Sequence, residues 1–142
     1  MAPGILLAMA QDHVEIVRRI FHEWDVATPM EEVLAVLDPA VEMLGAVGGI
    51  EEGDVVQGGR AVFEAMKVDS ETWAERRYEV QRIVATDHGV LVLAREHRRG
   101  RGSEVAVHAD MGFLYEFRGE RIARIRPFID QAAALDAAGL PE

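Results

Sequence analysis

Over residues 13–24 the apolar side chains recur every three or four positions, at Val14, Val17, Ile20, Phe21 and Trp24. That spacing predicts an amphipathic helix with one buried face, capped by Asp12 with Glu15 completing a capping box. A second short helix is predicted after Thr28, which can cap it, with Pro29 in its first turn and Val33, Leu34, Val36 and Leu37 on the buried side. Asp38-Pro39 should end it, because the residue before a proline is steered out of the helical region. Residues 41–44 read as a short strand, and the acidic, glycine-rich stretch that follows, to Gly59, reads as a loop. A third helix is expected over 61–73, with Val62, Phe63 and Met66 inward. Beyond Trp73 the pattern changes. Residues 77–86, 90–98, 105–117 and 121–129 read as strands, separated by Asp87-His88-Gly89, Gly100-Arg101-Gly102-Ser103 and Arg118-Gly119-Glu120. Connections that short make neighbouring strands antiparallel. An alanine-rich helix over 131–138 closes the pattern, stopped by Gly139. Helices followed by hairpin-linked strands predict an α+β domain, with helices packed on one face of a curved antiparallel sheet.

The chain has 142 residues, which suits one domain over 11–142 preceded by a flexible arm over 1–10. It has no cysteine, so disulfides, thiolate metal sites and a cysteine nucleophile are excluded. A net charge of −10 argues against a nucleic-acid partner, since phosphate binding needs a basic face. No apolar run reaches the roughly 20 residues of a membrane span. The patch over 5–9 has no basic residue before it, unlike a secretory signal, so a cytoplasmic protein without a membrane partner is expected.

Four short stretches carry a resemblance: Leu37-Asp38-Pro39-Ala40-Val41-Glu42, Gly59-Arg60-Ala61-Val62, Phe117-Arg118-Gly119-Glu120-Arg121-Ile122, and the ending from Asp130 to Leu140. In this order and spacing the chain resembles the nuclear-transport-factor-2-like superfamily, in its SnoaL-like (polyketide cyclase-like) branch. The resemblance implies a cone-shaped sheet wrapped around the N-terminal helices and enclosing a pocket, commonly in a homodimer. It does not imply one activity, since this fold serves isomerases, hydrolases, cyclases and non-catalytic binders. The positions matching the ketosteroid isomerase catalytic groups are Met43, Phe113 and Ile20, all apolar. The position matching the cyclase aspartate is Pro127. Neither chemistry is therefore expected.

Strand alternation assigns the pocket. With Phe113 inward, Met111 and Tyr115 follow on its strand, Leu93, Arg95 and His97 on the strand before it, and Ile125 and Ile129 on the last strand. Ile20, Trp24 and Met43 would complete the lining. Arg95 is expected to clamp a ligand carbonyl or carboxylate, since guanidinium forks suit such groups. His97 and Tyr115 are weaker polar candidates. A register slip of one residue would instead turn His108 and Asp110 inward. No metal site and no cofactor are expected: His108 and Asp110 lack a third ligand, and the Gly45–Gly59 stretch lacks the lysine of a phosphate cradle. The expected function is binding of a small, largely apolar ligand with a carbonyl or carboxylate end. The alternatives are a tailoring enzyme (cyclase, isomerase or hydrolase) using His97 or Asp110 as acid–base, and a non-catalytic protein-interaction module.

Overall fold

The computed structural model describes residues 3–25 and 27–141, with side chains from residue 8 onward. Its elements run α1 (Pro3–Glu23), α2 (Met30–Leu34), β1 (Leu37–Leu44), β2 (Val55–Gln57), α3 (Gly59–Thr72), β3 (Trp73–Ala85), β4 (Gly89–Gly100), β5 (Ala106–Arg118), β6 (Arg121–Phe128) and α4 (Gln131–Ala137). The strands form one sheet in the order β2-β1-β6-β5-β4-β3. Every neighbouring pair is antiparallel except β1 and β6, which run parallel. The sheet is therefore mixed rather than purely antiparallel, because β1 precedes the meander and returns to its far edge.

Several local expectations are corrected. The first helix begins at Pro3, so 3–10 form its first turns rather than a loose arm; residues 1 and 2 lie outside the described residues. A proline costs nothing at a helix start, and Ala8, Met9, Ala10 and Gln11 are good helix formers, so the helix runs through Asp12 without needing it as a cap. Thr28 does not cap α2. Its hydroxyl accepts from the Asp25 amide (2.9 Å) and the helix starts after Pro29. Asp38-Pro39 lies inside β1, where the pairing with β6 is interrupted between Leu37 and Glu42. The expected loop also holds β2, paired to the end of β1.

Bulges in β3 (between Val80 and Arg82) and between Glu116 and Phe117 bend the long strands, and the curved sheet buries two separate clusters. The inner face packs Val90, Val92, Ala94, Phe113, Tyr115, Ile122 and Ile125 against Val17, Ile20, Phe21 and Trp24 of the α1 region and Val62, Phe63 and Met66 of α3. The outer face packs Leu91, Leu93, Leu114 and Phe128 under Ala134 and Leu135 of α4. Gly112 makes this second contact possible, because a Cβ there would collide with Ala134. His13 joins α1 to the β5–β6 turn, its ring stacked on Phe117 at 3.9 Å and Nε2 donating to the Gly119 carbonyl at 2.7 Å.

Candidate functional site

The register of β4 against β5 decides which polar groups face the inside of the cone. Phe113 pairs with Val92, Tyr115 with Val90, Met111 with Ala94 and Ala109 with Glu96. Directly opposed residues share a face. The inner face of β4 is thus Val90, Val92, Ala94, Glu96 and Arg98, one residue out of step with the sequence expectation. Arg95 and His97 face outward opposite Asp110 and His108.

Exposure rises along the inner face of β4, from 0% at Ala94 and 3% at Glu96 to 34% for the Arg98 side chain, marking the open end of the cone. Glu96 is the one charged residue buried among those described. Across β3 it faces Tyr78, and Arg98 faces Arg76. Arg98 Nη1 lies 3.0 Å from Glu96 Oε1 as an ion pair, yet that oxygen has no hydrogen-bond partner. The Arg98 guanidinium lies over the Trp73 ring, 4.6 Å from its centroid. Arg76 is engaged elsewhere: it contacts the Asp69 carboxylate and donates to Ser70 Oγ at 3.0 Å. Burial works against the charge on Arg76, but Tyr78, Asp69 and Glu96 outweigh it and hold the guanidinium above its ordinary value. Burial, joined by the Glu96 carboxylate and opposed by Arg76, pushes the Tyr78 phenol well above its ordinary range. Burial alone does the same to Tyr115. Both phenols therefore keep their protons at neutral pH.

Deeper in, the cone is filled. Phe21, Tyr78 and Phe113 meet edge to face with centroids 5.4 to 5.6 Å apart, and Phe21 meets Tyr115 at 6.2 Å. Two open grooves lie outside the cone, one between Asp87-His88 and the end of α4, the other between α1 and the β5–β6 turn.

The expected site residues divide accordingly. Phe113, Tyr115 and Ile125 belong to the inner cluster, with Ile20, Trp24, Met43 and Met111 packed on it. Leu93 lies on the outer face under α4, and Ile129 is 49% exposed beyond β6. Arg95 and Asp110 are exposed outward, so the expected pocket clamp is overturned. His97 is also outside, its Nδ1 2.6 Å from His108 Nδ1 and its Nε2 3.2 Å from Glu79. Glu96, Arg98, Arg76 and Tyr78 were missed. Gly112 was the available signal: a glycine inside a strand marks a close approach, here of α4, and a helix on the outer face accounts for Leu91 and Leu93.

No protein-family model and no curated protein match the sequence. Solved structures do. A SnoaL-like protein from Jannaschia sp. CCS1 superposes with a TM-score of 0.75 at 18% identity, covering 100% of this chain and 98% of that one. An NTF2-like protein from Burkholderia xenovorans LB400 gives 0.67 at 23% identity, covering 90% and 96%. TerC, co-crystallised with polyporic acid, gives 0.68 at 14% identity, covering 90% and 98%. With α1 and α3 packed inside a curved six-stranded sheet and these superpositions over nearly its whole length, the chain has the nuclear-transport-factor-2-like fold.

Proposed function

We propose that this chain binds a small, largely apolar molecule at the open end of its cone, with a carbonyl or carboxylate end held by Arg98 beside Glu96. The observation that carries this reading is Glu96 itself, a carboxylate 3% exposed with an oxygen that no hydrogen bond satisfies. An unmet buried acceptor costs about 1–3 kcal/mol, more for a charged group, and a bound partner would relieve it. Met43, Met66 and Met111 pack on the inner cluster while remaining partly exposed. Unbranched thioethers can shift to admit an apolar body. Ligand binding within this fold has a precedent in TerC with polyporic acid. A tailoring reaction through His97 or Asp110 lacks support at this site, since both lie on the other face of the sheet.

A second reading, a non-catalytic interaction module, is favoured by the aromatic filling of the deeper cone. Calorimetric titration with methyl naphthyl ketone separates the two. Binding that Arg98→Met weakens about tenfold or more, while Arg95→Met leaves it unchanged, supports the small-molecule site. Loss on Arg95→Met with no loss on Arg98→Met would place the ligand on the outer face and end this reading.

A further inference from the structure

Glu96 Oε1 and Arg98 Nε are both fully enclosed, and neither has a hydrogen-bond partner. They stand two residues apart on one face of β4, within a single ion pair. A carboxylate oxygen can only accept, and a guanidinium nitrogen can only donate. The unmet valences at the end of the cone are therefore one acceptor and one donor, on the two partners of that ion pair. Their charges are already balanced. Arg76 is committed to Asp69 and Ser70, so two carboxylates, Glu96 and Asp69, stand against two guanidiniums.

We infer that the polar end of the ligand is a neutral group carrying a donor and an acceptor together, such as a primary amide or a hydroxyl next to a carbonyl, and not a carboxylate. This rests on the cone-end reading and narrows it. A ketone would satisfy Arg98 Nε and leave Glu96 Oε1 without a partner. A carboxylate would bring a second anion against Oε1, and like charges at that separation repel in a water-poor site. An amide meets both groups at once. The Trp73 ring lies over Arg98, so entry involves its displacement, and the Arg98 side chain is already one-third exposed.

Three probes with one apolar body test this on the intact chain: naphthamide, its near-isostere methyl naphthyl ketone, and naphthoate, each titrated by calorimetry at neutral pH. Naphthamide is expected to bind about tenfold or more tighter than either of the others. In Glu96→Gln the side chain gains a donor and loses its charge, so the preference for naphthamide over naphthoate should shrink about tenfold. The three-probe series on the parent chain stands alone if that variant fails to fold. Equal binding of amide and ketone, tighter binding of naphthoate, or an unchanged preference in a folded Glu96→Gln overturns the inference and leaves the cone-end reading in place. If none of the three binds, both fall.

Discussion

Glu96 continues an inner row whose preceding members are Val90, Val92 and Ala94, each 0% exposed. A carboxylate there loses several kcal/mol of hydration, and Arg98 at 3.0 Å supplies the compensating charge. Its cross-strand neighbour Tyr78 and the deeper Tyr115 are the chain's two tyrosines, and burial raises both phenols. The unfolded chain releases these protons near the ordinary value of about 10, whereas the folded chain keeps them. Their contribution to stability is thus complete below about pH 10 and declines as pH rises beyond it, since the unfolded state then binds fewer protons. A phenolate absorbance titration should show no tyrosine ionising in the folded protein near pH 10, and both ionising there in denaturant. Half-ionisation of the folded protein near that pH would contradict the buried placement.

At the scale of elements, α4 decides the chemistry although it holds none of it. Asp130 caps it, its Oδ1 accepting from the Ala132 amide at 2.8 Å, and the Leu140 amide closes its far end on the Leu135 carbonyl at 2.9 Å, with Gly139 at φ +73°. Asp130→Ala should cost about 0.5–2 kcal/mol, read as a shifted denaturant midpoint with the slope unchanged. Gly112→Val should cost more, about 1–3 kcal/mol, because the added carbons meet Ala134 where α4 crosses the sheet. If Gly112→Val proves neutral, α4 is not seated on Leu93 and Leu114 as described. By contrast the ion pairs on the outer face beyond α4, such as Arg126 with Glu116 at 3.6 Å and Arg124 with Glu42 at 3.8 Å, are each worth about 0–1 kcal/mol.

For the whole molecule, apolar Leu114 and Phe128 on the outer sheet face are covered within the chain by α4. The outer sheet beyond α4 instead carries Arg77, Glu79, Arg95, His97, His108 and Asp110. A homodimer, proposed from the resemblance, that used the outer sheet would pair through such a polar face. Light scattering at micromolar concentration should then give twice 15.7 kDa, with dissociation as salt is raised. A mass of one chain at low salt rejects the dimer. None of the described helices is long and apolar enough to cross a membrane.

Periodicity and turn residues alone determined the order of helices and strands apart from β2, the hairpin turns and the α+β class, because these depend on neighbours a few positions apart. They could not determine which face of β4 looks into the cone. Val90, Leu91, Val92, Leu93 and Ala94 are all buried, because the aromatic core covers one face and α4 the other. A strand buried on both faces shows no alternation, so nothing local distinguishes one register from the next. Tertiary packing chose it. Gly112 opposite Leu93 admits α4, and Phe113 opposite Val92 turns inward. That single step moved Arg95 to solvent and His97 to the outer face, and brought Glu96 and Arg98 to the open end of the cone.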